Sequence, residues 1–514
     1  MAITTFAAVD IGSYDISMKI YELSKKYGMH EIDEIRSPLE LGKDTYVTGM
    51  LSLESLDSLC TVLNDYRQIM EGYRVEDYKV CATSSLREAE NMWVILEQIY
   101  RRTGMQVEVL SNSEQRFLGY KSIASKEKDF TEIIQKGTAI IEVGGGSVQV
   151  SLFDKDALVT TQNFKLGNLR IREKLLPVEK ETIYYEQLVE ELINNEILSF
   201  KKLHLKEREI KNVILVGDNF TEVIFRKGEN GNLCSTIDKA TFMNVYDRVV
   251  PYSPEQVAVE FSLPLEYASL LIPSIIIFKT FIEQFGAETM WIPGTQLTDG
   301  MAYEYGESHK IIRTNHNFEN DIIEAARNIA KRYVSSKGHV QVMTRIGLAI
   351  FDSMKKYHGM GKRERLLLQI AIILHDCGKY ISLSNVGECS YNIIMSTEII
   401  GLSHAEREVI ANVVRFNTVP YVYYGEDGIY QEMKQENYIL VGKLTAILRM
   451  ANALDRSHLQ KIETLHASVK ENRLILSIES QADFTLEEGL LADKINFFEE
   501  IYFIRPELRR KRRK

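Results

Sequence analysis

The chain opens on an apolar run, FAAV, that leads through Asp10-Ile-Gly-Ser13 into an alternating stretch, DISMKIYEL. Alternation with period two on both sides of a short turn predicts a strand hairpin. The period then switches back and forth. A helix is expected over 53–71, a strand over 78–82, a helix over 85–102, a strand over 107–110 and a helix over 113–125. Such switching predicts a layered α/β domain.

A second hairpin is expected over 139–153, in AIIEVGGGSVQVSLF, and starts a similar unit. A strand over 213–216 and the segment 289–303 belong to it, with helices over 181–200 and 266–285 between. After about residue 310 the texture becomes helical, with periodic stretches at 315–333, 339–357, 362–375, 390–401, 405–416 and 437–454. A hairpin at 467–470 and 474–478 and a helix over 487–502 close the chain. The expected domains are 1–125, 126–308 and 309–514. The last six residues, 509–514, are all basic, which reads as a solvated, frayed end or, alternatively, as a contact for a polyanion.

Composition narrows the class. A chain of 514 residues is long for one core, so two to four domains are expected. Hydrophobic content of 45% and charged content of 26% fit a soluble globular protein. The net charge of −10 disfavours a nucleic-acid binder but leaves a polyanionic ligand open, because local patches outweigh the total. Cys60, Cys81, Cys234, Cys377 and Cys389 form no CxxC pair, which fits a reducing cytoplasm. No basic leader precedes the first apolar run, so no signal peptide is expected. The longest apolar stretch, 267–278, is short for a bilayer and holds Pro273, so no membrane partner is expected.

The two glycine turns carry the candidate chemistry. Each has an apolar strand, an acidic residue, small residues and a second strand: Asp10, Gly12 and Ser13 in one, Glu142, Gly144, Gly145, Gly146 and Ser147 in the other. Short side chains let backbone N–H groups approach an anion. The leading carboxylate can hold a metal ion or water beside it. One such turn alone reads equally as an ordinary hairpin; two facing each other form a phosphate cleft. In ATSSLREAEN, Ser85 and Glu88 form an S-x-x-E capping pattern at a helix start, and Arg87 can fork onto an anion. The alternative is a plain capped helix with an exposed arginine.

Together these segments resemble the exopolyphosphatase / guanosine pentaphosphate phosphohydrolase family. ATSSLREAEN, Ser111-Asn-Ser-Glu-Gln115, Glu142-Val-Gly-Gly-Gly-Ser-Val-Gln149, Leu166-Gly-Asn-Leu-Arg170 and Leu297-Thr-Asp-Gly-Met-Ala-Tyr-Glu304 follow the family's motifs in order across residues 1–305. The resemblance implies two actin-like, ribonuclease-H-like α/β lobes, with phosphate bound between them. It implies Mg²⁺-assisted release of a terminal phosphate from polyphosphate or guanosine pentaphosphate, with Asp10 and Glu142 as carboxylates for metal or water. It also implies a homodimer.

The chain departs from the family where a base is needed. The family's second glutamate in the Ser-Gly-x-Glu-Glu segment is Gln115 here, and Glu114 reads as the partner of Ser111 in a capping box. An amide positions water but cannot take its proton. The second loop ends on Gln149 where the family has glutamate, and Tyr14 stands where a small polar residue is usual. Glu114, Gln115, Glu142 and Gln149 are therefore the candidate catalytic positions, and a weakened enzyme or a polyphosphate- or guanosine-nucleotide-binding sensor is the alternative.

The helical region carries His339, then His375-Asp376, then Asp455, in the order of the HD phosphohydrolase superfamily. Imidazoles and carboxylates on neighbouring helices can hold one divalent ion. The extra ligands for a second metal are missing, with Asn385-Val-Gly-Glu-Cys-Ser390 and Arg415-Phe-Asn417 at their places and Cys389 and His404 as weak substitutes. The alternative is a helical dimerisation or polyanion-binding module.

Overall fold

A computed structural model of the chain describes residues 3–126, 133–134, 137–154, 157–179, 185–217, 236–313, 316–423 and 433–511. The expected start of the helix over 181–200, residue 315 and the basic residues 512–514 lie outside the described residues. The chain divides into two compact units, Met1–Asn317 and Phe318–Lys514.

The first unit holds two sheets built on one plan. Strands β1 (Thr4–Ile11), β2 (Asp15–Ser24) and β3 (Gly28–Pro38) form an antiparallel meander, and β4 (Asp77–Ala82) and β5 (Val107–Val109) add in parallel beside β1, giving the order 3-2-1-4-5. The second sheet repeats this. β6 (Thr138–Val143), β7 (Val148–Asp154) and β8 (Ala157–Phe164) form the meander, and β9 (Asn212–Gly217) and β11 (Thr289–Trp291) add in parallel beside β6. β10 (Thr236–Asp238) caps the edge antiparallel to β11. The central strands are apolar because helices cover the sheets. In the first lobe the helix Leu53–Gly72 turns Leu56, Leu59, Cys60, Leu63, Tyr66 and Met70 inward at helical spacing, with Ser52 capping its start.

In the second lobe the helix Leu265–Phe285 is long and apolar enough to cross a membrane by length and composition. It is a core helix here: Ile276, Phe278 and Phe281 are buried among the strands and helices of that lobe. The helix Leu297–Ser308 then returns to the first lobe, where Met301 and Ala302 pack on Phe6, Ala8, Tyr21 and Leu118. Gly300 permits that contact, since a Cβ there would stand 2.0 Å from the Leu118 carbonyl oxygen. Asp299 is buried at the same junction, accepting from Tyr21 Oη at 3.1 Å and lying 3.6 Å from Lys19 Nζ.

The second unit is helical: Phe318–Arg332, Lys337–Ser353, Lys362–Leu374, Val386–Ser396, His404–Arg415 and Gln435–Ala453. It ends in a three-stranded sheet of β12 (Thr464–Lys470), β13 (Arg473–Glu479) and β14 (Arg505–Lys511).

Four expectations need correction. The segment 289–303 is not wholly part of the second lobe: β11 is, but the helix Leu297–Ser308 packs on the first, where Met301 and Ala302 join its core. The helix expected over 85–102 is two, Ser84–Glu88 and Met92–Thr103, because Ala89 is extended and Asn91 uses its amide to bridge Leu51 N and O at 3.1 and 2.9 Å. The helix expected over 487–502 is likewise two, Thr485–Gly489 and Ala492–Tyr502. The basic tail is not frayed through Lys511; it forms β14, whose backbone pairs in parallel with β13.

Candidate active site

The two glycine turns have the same backbone geometry. Gly12 N donates to Asp15 O at 3.0 Å, and Gly144 N donates to Ser147 O at 3.0 Å. Asp10 and Glu142 occupy equivalent places one residue before the ends of β1 and β6. The turns meet across the lobes. Ser13 Oγ and Tyr46 Oη share a hydrogen bond of 2.6 Å, and a Cβ on Gly146 would stand 2.0 Å from that same Oη. Only glycine fits there.

Side chains from both lobes hold the approach. Arg170 donates from Nε to Gly146 O at 2.8 Å and from Nη2 to both Glu88 carboxylate oxygens at 2.8 and 2.9 Å. Arg172 Nη2 reaches both oxygens of Glu40 at 3.0 Å. Tyr14, the bulky residue of the first turn, packs into the core of the second lobe, edge-on to Tyr267 at 5.2 Å. Burial pushes its phenol up, so it stays protonated.

Between the turns lies a cavity of about 100 Å³, lined by Asp10, Gly12, Ser13, Gln115, Glu142 and the Gly144–Ser147 turn. Sequence reasoning missed other parts of its wall: Asp15, Arg36, Ser84 and Thr295. Arg36 is the basic side chain in that wall among the described residues, and it donates from Nη1 to Asp15 Oδ2 at 2.9 Å. No contiguous motif marks it, because β3 reaches the site only through sheet pairing.

Arg87 stands behind the wall. Its Nη1 donates to Leu110 O at 2.6 Å and to Gln115 Oε1 at 3.3 Å, and its Nη2 donates to Ser84 Oγ at 3.0 Å. It fixes two residues that line the cavity. The Ser85–Glu88 capping box does not form: Ser85 Oγ donates to Gly12 O at 3.2 Å, and Glu88 takes Arg170. The Ser111–Glu114 box does form, with bonds of 3.0 and 3.3 Å in the two directions. Glu114 thus serves the helix start, and Gln115 faces the cavity.

Burial pushes the Glu142 carboxyl up to about 7, while the Arg116 guanidinium and a hydrogen bond with Gln115 pull the other way. Gln149, opposite Glu142 across β6 and β7, lies outside the cavity wall, buried with neither amide atom hydrogen-bonded. Among the described residues no group of three His, Cys, Asp or Glu is arranged to hold a metal. The cavity does present two carboxylates, Asp10 and Glu142. That donor set fits Mg²⁺, which takes one or two carboxylates and completes its shell with water and substrate phosphates.

In the second unit His339, His375, Asp376 and Asp455 come together. His339 Nδ1 and Asp455 Oδ2 are 2.7 Å apart, His375 Nδ1 donates to Ile372 O at 2.8 Å, and the two rings lie 5.1 Å apart. Asp376 adjoins His375 and bonds Lys379 Nζ at 3.4 Å. Burial pushes His375 down to about 4, so its ring is neutral near pH 7. His458, outside the sequence quartet, stacks on His339 at 3.6 Å. His404 is engaged by Arg407 at 3.1 Å.

Comparison with known proteins follows this division. The profile of the Ppx/GppA phosphatase family matches residues 20–309, and that of Ppx/GppA phosphatase domain III matches residues 323–497. The chain belongs to the Ppx/GppA phosphatase family.

Over 488 residues the chain is 21% identical to a guanosine-5'-triphosphate,3'-diphosphate pyrophosphatase of Photobacterium profundum, covering 92% of this chain and 91% of that protein. It is 25% identical over 188 residues to a bifunctional 3-dehydroquinate synthase/phosphatase of Fusobacterium nucleatum, of which the match spans 28%. Among solved structures, an exopolyphosphatase from Cytophaga hutchinsonii superposes with a TM-score of 0.52 at 15% identity, covering 59% of this chain and 98% of that one. A Ppx/GppA family member from Aquifex aeolicus gives 0.50 at 18% identity, covering 62% and 100%. The fold is the actin-like two-lobed α/β architecture, followed by a helical domain III. In this Ppx/GppA frame, the motif residue Arg170 joins the lobes and Asp299 anchors the returning helix on the first, while Asp10, Gln115 and Glu142 face the cavity.

Proposed function

We propose that this Ppx/GppA phosphatase releases the terminal phosphate of inorganic polyphosphate or guanosine pentaphosphate in the cavity between its two glycine turns. The carrying observation is the matched pair of turns, each headed by a carboxylate that faces the shared cavity. Gly12, Ser13, Gly144, Gly145, Gly146 and Ser147 would bind the terminal phosphoryl group through backbone amides and hydroxyls. Asp10 is the carboxylate we assign to Mg²⁺, together with phosphate oxygens. When bound, that ion neutralises charge on the transferred group.

The base is Glu142 in this reading. Gln115 orients it, and burial raises its proton affinity into the range useful near neutral pH. Water oxygen attacks the terminal phosphorus, the bond to the bridging oxygen breaks, and the water proton passes to Glu142. The shortened anion and orthophosphate leave.

A second reading, a sensor that binds these anions without turnover, is favoured by the amide of Gln115 at the family's base position. Phosphate release with Mg²⁺, measured on both substrates side by side, separates the two. Turnover that falls by about 100-fold or more in Glu142→Gln supports the enzyme. Tight binding without release in the wild type supports the sensor.

A further inference from the structure

A second cavity, in the helical unit, has the charge of an anion site. It measures about 340 Å³ and lies where the helix Gln435–Ala453 ends and the helix Ala492–Tyr502 begins. Arg449, Arg456 and Lys494 line it against one carboxylate, Asp493. That excess of positive charge stands in a chain whose net charge is −10.

The three cations differ in freedom. Arg449 is pinned: its Nε donates to Phe416 O at 2.7 Å and its Nη2 to Val419 O at 2.8 Å, with its guanidinium 4.4 Å from the Phe497 ring centre. Arg456 is exposed and Lys494 half-buried. Burial and then Arg449 push the Lys494 ammonium down, Asp493 pulls it back, and Arg456 adds a smaller push downward. Asn417 also lines the cavity: its Oδ1 accepts from Asn452 Nδ2 at 3.3 Å, while its own Nδ2 is buried with no hydrogen-bond partner.

We propose that this cavity is a second phosphate-anion site that takes a diphosphate group, with Arg449 as a fixed cation and Arg456 and Lys494 as the closing ones. Guanidinium groups and an ammonium give the charge-assisted bonds such a group takes. The site is independent of the interlobe reaction, so either proposal can fail alone.

Hydrogen exchange on the full chain tests it, with millimolar pyrophosphate in one arm and guanosine 5′-diphosphate in the other. The two arms distinguish a free inorganic anion from a nucleotide carrying the same group, and slowing in either supports the site. Exchange should slow in peptides covering 449–457 and 489–498. In Arg456→Met with Lys494→Met the apparent affinity read from those peptides should weaken about tenfold or more. The single variant Arg456→Ala alters an exposed side chain and should weaken it in the same direction with an unchanged melting temperature. No slowing in these peptides with either probe, or slowing that both variants leave intact, overturns the proposal.

Discussion

The guanidinium of Arg170, from the second lobe, lies 3.9 Å from the ring centre of Tyr46, from the first, while its Nη2 holds both oxygens of Glu88. Stacking, an ion pair and a bond to Gly146 O thus converge on one side chain that spans the lobes. Arg170→Met keeps the bulk and removes the charge. We expect it to cost about 2 kcal/mol of stability and to raise KM more than it lowers kcat, because it loosens closure rather than chemistry. Thermal melting and steady-state phosphate release check this.

Gly146→Ala tests the closeness of the turns. Its Cβ would overlap Tyr46 Oη, and that oxygen is bonded to Ser13. The lobes must part or the turn must shift. Phosphate-analogue affinity is expected to fall about tenfold or more, with melting lowered by a few degrees. Calorimetric titration with pyrophosphate, in an Arg456→Met, Lys494→Met background that removes the second proposed site, reads the first and scanning calorimetry the second.

Glu142 makes stability depend on pH. Its carboxyl sits at about 7 in the folded chain against an ordinary value of 4.5. The folded state therefore holds the proton more tightly than the unfolded one. The stability this contributes is fully present below pH 4.5 and is lost as pH rises to 7, on the order of 3 kcal/mol in all. In metal-free buffer Glu142→Gln should therefore gain more over the wild type at pH 8 than at pH 5. Melting curves in EDTA at the two pH values check the sign, and Mg²⁺ should shrink the difference.

Gln115 lowers the Glu142 pKa through its hydrogen bond. Gln115→Leu removes that bond and the one from Arg87. The acid limb of the phosphate-release profile should move to higher pH, with kcat down about tenfold. An unmoved limb would assign the limb to another group.

The twin turns were legible because each is contiguous: strand, carboxylate, small residues and strand follow in order, and each folds locally. The long helices were legible from their spacing, as in Leu56, Leu59, Leu63 and Tyr66. The rest of the site is assembled from afar. Arg36 reaches the cavity along a sheet, and Tyr46 reaches it from the helix Leu41–Thr48, whose own sequence gives no sign of the Gly146 it touches. Arg87 reads as an anion ligand by charge, yet its hydrogen-bond partners Leu110, Gln115 and Ser84 come from different elements. The basic tail misled for another reason. Composition reports solvation, whereas β14 is held by backbone pairing to β13, to which side-chain charge is indifferent.

The most direct measurement is single-turnover phosphate release from polyphosphate and guanosine pentaphosphate, with Mg²⁺, by the wild type and by Glu142→Gln, alongside substrate binding by both. We expect release by the wild type, a loss of about 100-fold or more in the variant, and binding retained in each. Equal release by the two proteins would contradict the role assigned to the interlobe cavity.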